Sequence, residues 1–180
     1  MGELGVARFA EVLAGAGPGP AAGSTAAVSA ALAAGLATTV ATGAAHRETV
    51  DELDALRTQA LQLADDDVEA YAGFLEARRL DSISDRGGGP AASEAIVQVP
   101  ADVVALAVRV AELSALLAEH GPDHLTGDAV TAAFLAAAAA VSAAALVGAN
   151  IADSGELADP RVEHVEERAG HARTLAERLV

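Results

Sequence analysis

Residues 24–45, STAAVSAALAAGLATTVATGAA, decide the fold of this chain because they form one long stretch without a charged side chain. The large apolar residues in this stretch recur at every fourth position: Val28, Leu32, Leu36 and Val40. A second uncharged stretch, AVTAAFLAAAAAVSAAALVGANIA at residues 129–152, has a similar composition. Apolar residues at this spacing indicate helices, and small side chains let helices approach closely. The two stretches therefore predict the two long Ala-rich central helices of a bundle.

The overall composition also favours helices. Hydrophobic residues make up 52% of the 180 residues, but aromatic residues only 2%. Ala is the best helix former, whereas aromatic and β-branched residues favour strands. A chain of this length suits one domain with a real hydrophobic core. We therefore predict an all-α fold, with a single domain over residues 1–180, six or seven helices and no strand.

The remaining helices follow from apolar periodicity and from helix-breaking residues. Ser24 is expected to be the N-cap of the first central helix. Pro100 is expected to end a short helix that precedes it, and Pro160 suits the start of the last helix. Connections rich in Gly and Pro are predicted at residues 15–23 and 81–90. The other predicted helices cover residues 4–14, 49–80, 91–97 and 101–119.

The charge of the chain limits its partners. The net charge is −15, and all 11 basic residues are Arg. Such a surface repels phosphate backbones, so we expect no nucleic-acid binding. The two uncharged stretches are long enough to span a bilayer. The first contains only four strongly apolar residues and neither has a flanking basic cluster, so we favour core helices over a membrane. The N-terminus shows no signal peptide, and we expect a cytoplasmic protein.

Asp67 has an unusual position for an acidic residue in the helical pattern. The residues three and four positions away are all apolar or aromatic: Leu63, Ala64, Ala70 and Tyr71. Asp65 and Asp66 have polar neighbours at the same spacing, so Asp67 is expected to face the edge of the core. A partly buried carboxyl group has a raised pKa and can act as a general acid or base. If it has no partner there, replacing it by Asn should preserve or raise stability. The alternative is a solvated acidic run at residues 65–67.

Five short motifs resemble, in order, those of one enzyme family. Residues 20–27, PAAGSTAA, are similar to a Pro-Gly-Gly-Gly-Ser loop, and residues 63–80, LADDDVEAYAGFLEARRL, contain a version of an Asp-Ala-Glu-Ala-Phe segment. Val99 and Pro100 match a Val-Pro pair that opens a helix. Residues 121–128 and 147–150 resemble a Gly-Asn…Ser-Asp turn and the end of an Asn-Val-x-x-Asn motif. The chain thus resembles the formiminotetrahydrofolate cyclodeaminase and methenyltetrahydrofolate cyclohydrolase family.

This resemblance implies an all-helical homodimer that acts on a tetrahydrofolate derivative without a further cofactor or a metal. Family members cyclise 5-formiminotetrahydrofolate with release of ammonia, or hydrolyse the methenyl bridge. The catalytic Asp of the family matches Asp67, which would be the general acid/base. Arg78, Arg79 and Arg86 would form a basic cluster for the folate carboxylates. The positions expected to bind substrate are Pro20, Gly23, Ser24, Tyr71, Arg78, Arg79, Asp128 and Asn150.

The chain also departs from the family pattern. Ala21 and Ala22 replace two of the three loop glycines, so we expect a narrower or differently shaped pocket at residues 20–24. Pro122, Gly127 and Leu146 replace an Asn, a Ser and another Asn of the family motifs. These departures keep a second hypothesis open, in which the same fold is a non-catalytic dimeric scaffold or a small-molecule binder.

Some candidate residues have a structural interpretation beside the functional one. Asp128 also suits a helix N-cap, and Asn150 suits a buried hydrogen bond between helices. His164 and His171 lie seven residues apart on the last helix, where a solvated face is favoured over a metal site.

Overall fold

The computed structural model describes residues 5–15, 19–81, 90–154 and 159–180. The predicted all-α bundle is confirmed, since these residues form six α-helices and a single 3₁₀ turn at Asp123–Leu125, with no strand among them. Arg86 and most of the predicted connection at residues 81–90 lie outside the described residues. The helices are α1 Val6–Leu13, α2 Ala22–Gly43, α3 Arg47–Asp81, α4 Pro90–His120, α5 Thr126–Ser154 and α6 Pro160–Glu177.

The two Ala-rich helices, α2 and α5, lie at the centre of the bundle as predicted. α2 packs against α3, α4 and α5, and α5 also packs against α6. Their contact faces consist largely of buried Ala side chains, which allow the helix backbones to approach closely. The core thus depends on short distances between helices rather than on large side chains.

Two segments of the described chain have the length and hydropathy of a membrane span, namely Ala22–Gly43 and Asp123–Asp153. Half of each apolar window is buried inside the bundle. Both segments make the central contacts of the fold, and this is the arrangement that the core-helix interpretation predicts.

The predicted break before Pro100 is wrong. Helix α4 continues from Pro90 to His120, and Pro100 lies buried in its middle. A proline inside a helix removes one N–H donor and leaves the carbonyl four residues earlier without its helical partner. Here that carbonyl belongs to Ile96, and it accepts a hydrogen bond from the side chain of Asn150 in α5. The neighbouring helix therefore satisfies the group that would otherwise favour a break.

Ion pairs near the surface connect α4 to its neighbours. Arg109 of α4 donates two hydrogen bonds to Glu52 of α3, and these hydrogen bonds lower the pKa of that carboxyl group. Arg161 at the start of α6 forms an ion pair with Glu94 of α4. The helix start predicted at Pro160 is confirmed, with Asp159 as its N-cap. Because these pairs are largely exposed, each contributes at most about 1 kcal/mol to stability.

Candidate active site at the N-terminus of helix α2

A cavity of about 420 Å³ opens where the N-terminus of α2 meets the middle of α3 and the C-terminal part of α5. This volume lies within the range of about 300–1,000 Å³ that is typical of small-molecule sites. Five of the residues predicted from the sequence lie in its wall: Pro20, Gly23, Asp67, Tyr71 and Asn150. The structure therefore brings together residues that are far apart in the chain.

The carboxylate of Asp67 binds the first turn of α2. Its Oδ2 accepts a hydrogen bond from the backbone N–H of Ser24, at 2.8 Å, and another from the Ser24 hydroxyl, at 2.7 Å. The first N–H groups of a helix have no partner inside the helix, and the positive end of the helix dipole attracts a negative charge. Asp67 thus caps α2 from a different helix.

The prediction that Ser24 is the N-cap is consequently wrong. Helix α2 begins two residues earlier, at Ala22, and the cap residue Ala21 makes no side-chain hydrogen bond. Ser24 is fully buried, and its hydroxyl serves the Asp67 carboxylate instead of its own helix. The local sequence pattern identified the right helix end, but the capping acceptor comes from α3.

Gly23 is the loop glycine that this arrangement requires. A Cβ atom at this position would overlap the Asp67 carboxylate, with Oδ1 as its nearest neighbour. Ala21 and Ala22 are exposed, and they line the cavity without such a conflict. Gly23, which matches the third glycine of the family loop, is therefore retained where the Asp67 carboxylate needs the space.

The two oxygens of Asp67 have different surroundings. Oδ2 accepts both hydrogen bonds from Ser24, whereas Oδ1 accepts none from the described residues. Every fully buried side-chain N or O atom in the described chain has a partner. Because Oδ1 has no such partner, it is not fully buried, and it is accessible at the wall of the cavity. The neighbouring Asp66 instead accepts a hydrogen bond from Gln62 on its own helix.

The rest of the cavity wall is mostly apolar. Tyr71 follows Asp67 by one helical turn, and its side chain is about half exposed. Ala70, Ile96 and Leu146 complete the wall, and Leu146 occupies a position where the family pattern has Asn. Sequence reasoning did not select Ala70 and Ile96 as site residues, because an apolar residue in a cavity wall has the same pattern as one in a core.

Four of the predicted binding residues are not part of the cavity wall: Ser24, which is buried against Asp67, and Arg78, Arg79 and Asp128. Arg78 is farther along α3, with its guanidinium 5.5 Å from the centre of the Phe74 ring. Arg79 donates two hydrogen bonds, each of 2.9 Å, to Glu76. Asp128 lies inside the first turn of α5, which begins at Thr126, so the alternative prediction that it is the helix N-cap is wrong. Along the helix it is about 33 Å from Asn150, at about 1.5 Å per residue. Among the described residues, no group of three or more His, Asp or Glu side chains is arranged to hold a metal ion.

Comparisons with known proteins found a matching family model and similar solved structures. A family model described as formiminotransferase-cyclodeaminase matches residues 5–169. The crystal structure of formiminotetrahydrofolate cyclodeaminase from Thermotoga maritima is similar, with a TM-score of 0.86 and 22% sequence identity over 99% of this chain and 96% of that chain. No curated protein sequence matches significantly. The structural likeness shows that the fold is shared.

The contact between Gly23 and Asp67 predicts a specific effect of a single methyl group. Gly23→Ala should displace the carboxylate and break both hydrogen bonds to Ser24, so thermal or denaturant unfolding should show a loss of about 1–3 kcal/mol. Gly35→Ala is the matched control on the same helix, because its Cβ would meet only ordinary contacts. The control should gain up to about 1 kcal/mol from helix propensity. Equal stability of the two variants would contradict the proposed role of Gly23.

Proposed function

Because the chain belongs to the formiminotransferase-cyclodeaminase family, we propose that it is a folate enzyme of the cyclodeaminase or cyclohydrolase type, with Asp67 as general acid/base. The observation that carries this proposal is the arrangement of the Asp67 carboxylate. Oδ2 is held by Ser24, and Oδ1 lies at the wall of the cavity without a partner among the described residues. A carboxylate that is fixed in position and open to a ligand is what proton transfer requires.

The chemistry of both family reactions needs one such group. In the cyclisation of 5-formiminotetrahydrofolate, N10 attacks the formimino carbon and loses its proton. The imino nitrogen gains protons and leaves as ammonia. Oδ1 of Asp67 would accept the N10 proton and return it to the leaving nitrogen. In hydrolysis of the methenyl bridge, the same oxygen would take a proton from the attacking water.

The charge of the cavity suits the reacting end of such a substrate. A formimino group on nitrogen is an amidine, and the methenyl product carries a delocalised positive charge over its N–C–N unit. Asp67 is the one charged residue among the described side chains that line the cavity. A carboxylate in a largely apolar wall stabilises a cation nearby more strongly than it would in water. We therefore place the N5–N10 region of the folate beside Asp67.

The carboxylate end of a folate would follow α3 away from the cavity. Asp67, Tyr71, Phe74 and Arg78 share one face of α3, because they are separated by three or four residues. The order along a folate, from reacting ring to aromatic ring to glutamate, corresponds to this order of side chains. Arg78 has no ion pair with a described residue, whereas Arg79 is paired with Glu76. We propose that Arg78 binds the glutamate.

A homodimer is proposed from the exposed apolar residues of the central helices. Leu32 of α2 is 58% exposed, and Phe134 and Val141 of α5 are each 39% exposed. Exposed apolar residues on helices that otherwise form the core are typical of an interface between subunits. A cytoplasmic location and the lack of a further cofactor stay predictions.

The role of Asp67 is tested by Asp67→Asn in a methenyltetrahydrofolate absorbance assay. The rate should fall by about 10²- to 10⁴-fold, because the amide cannot carry the proton. Stability should fall slightly, by about 0.3–1 kcal/mol, since an amide oxygen can accept from Ser24 but brings no charge to the helix end. The structure thus reverses the stability effect expected for an acid without a partner. Asp66→Asn is the control and should keep full activity. Full activity in Asp67→Asn would refute the catalytic role of Asp67 and favour a non-catalytic binder.

The assignment of Arg78 is tested by comparing Arg78→Ala with Arg79→Ala. Removing Arg78 should raise the KM for a glutamylated folate by about tenfold, as expected for the loss of one charge-assisted hydrogen bond. The KM for a pteridine without glutamate should not change. Arg79→Ala should leave both KM values unchanged because its side chain is paired with Glu76. Equal effects of the two substitutions would contradict a specific glutamate site at Arg78.

The oligomeric state is tested by sedimentation velocity at micromolar concentration. The protein should sediment as a dimer, and Leu32→Glu or Phe134→Glu should convert it to a monomer by placing a charge in the apolar interface. Val6→Glu, at an exposed apolar position in α1, is the control and should leave the dimer intact. A monomeric protein at this concentration would overturn the proposal.

A further inference from the structure

Pro100 leaves one carbonyl group of α4 without its helical partner. In an α-helix the N–H of each residue binds the carbonyl four residues earlier, and proline has no N–H. The carbonyl concerned is that of Ile96, a buried residue that also lines the cavity beside Asp67. A buried carbonyl without a donor is costly, so a donor from elsewhere in the fold is expected.

Asn150 supplies that donor. Its Nδ2 donates a hydrogen bond to the Ile96 carbonyl across the contact between α5 and α4. Asn150 is the only asparagine of the chain, and it lies in an otherwise apolar stretch of α5. An amide suits this position because it carries a donor for the carbonyl and an acceptor on its other side.

This hydrogen bond fixes the orientation of the Asn150 amide. If the amide were flipped, its oxygen would face the oxygen of the Ile96 carbonyl, which is unfavourable. The Asn150 Oδ1 accepts no hydrogen bond from the described residues. Every fully buried polar side-chain atom of the described residues has a partner, so this oxygen is at least partly exposed. Asn150 itself lies in the cavity wall. Its oxygen is therefore available to a ligand.

We propose that Pro100 and Asn150 act as a pair that makes Asn150 an obligate hydrogen-bond acceptor in the cavity. Pro100 creates the free carbonyl, that carbonyl holds the Asn150 amide in one orientation, and Oδ1 then binds an N–H donor of the ligand. This inference rests on the proposed function, in which the ligand is a reduced pteridine with ring N–H groups. Asn150 is thus a substrate-binding residue, and Pro100 is a positioning residue that acts through it.

The first test measures the coupling between the two residues by unfolding, without any ligand. Asn150→Ala leaves the Ile96 carbonyl unpaired and should lower the melting temperature. In a Pro100→Ala background the new N–H of residue 100 serves that carbonyl, so the same substitution should cost clearly less. The two effects therefore should not add in a double-mutant cycle. The coupling is also supported if Asn150→Ala does not fold alone but folds in the Pro100→Ala background. Additive effects would overturn it, and so would an Asn150→Ala variant that fails to fold in either background.

The second test measures ligand binding with tetrahydrofolate as the probe, by titration calorimetry, and KM and kcat by the absorbance assay. Asn150→Ala should raise Kd and KM by about fivefold to tenfold with little change in kcat, as expected for one lost hydrogen bond. Pro100→Ala frees the amide to flip, and if half of the molecules are then competent, Kd should rise about twofold. Melts of Asn150→Ala without ligand show whether the protein remains folded.

The outcomes separate this inference from the proposed function. Coupling in the melts together with unchanged Kd and KM in Asn150→Ala would refute the acceptor role while leaving the folate activity in place. A wild-type protein that neither binds nor converts folates would refute the proposed function and the ligand half of the pair. The unfolding cycle would still decide whether Pro100 and Asn150 are coupled.

Discussion

The hydrogen bonds from Ser24 to the Asp67 carboxylate are the interaction on which the site depends. They connect the middle of α3 to the first turn of α2, and so they set where these two helices meet. The same contact requires glycine at residue 23, because the carboxylate fills the space of a Cβ atom. The cavity opens beside this contact. A change in any of the three residues would therefore alter both the helix packing and the shape of the cavity.

A capping carboxylate and the proposed catalytic carboxylate have different requirements, and different oxygens of Asp67 suit the two. Capping needs an acceptor that does not move, and Oδ2 has this role through two short hydrogen bonds. Proton transfer needs an accessible oxygen in a defined place, and Oδ1 has no partner among the described residues. The hydrogen bonds to Oδ2 would reduce the reorganisation that the proposed proton transfer otherwise requires. The fold and the proposed chemistry thus use one side chain without competing for the same oxygen.

Sequence patterns predicted the helices well because helices depend on local spacing. The two Ala-rich stretches, the start at Pro160 and the inward direction of Asp67 all follow from neighbours within four residues. Two of the wrong predictions, the N-cap at Ser24 and the break before Pro100, concern groups whose partners are distant in sequence. Ser24 does not cap its own helix because it binds Asp67, 43 residues away, and α4 does not break at Pro100 because Asn150 binds a carbonyl 54 residues away from it. Local rules contain no information about such partners.

Both exceptions occur at the cavity, and they have the same physical form. In each case a helix presents a backbone group without an intrahelical partner, an N–H in α2 or a carbonyl in α4, and a side chain from another helix binds it. Asp67 binds through Oδ2 and Asn150 through Nδ2, each at one end of a planar group. The Oδ1 atom of each side chain therefore has a fixed position at the cavity wall. A bundle whose buried core is mainly Ala has few side chains that can place polar atoms accurately. Backbone groups without an intrahelical partner provide the necessary anchors, because an unpaired buried backbone group is costly and holds its partner firmly. Unpaired backbone groups of α2 and α4 therefore fix the positions of two acceptor oxygens at the cavity wall, where the proposed ligand would lie.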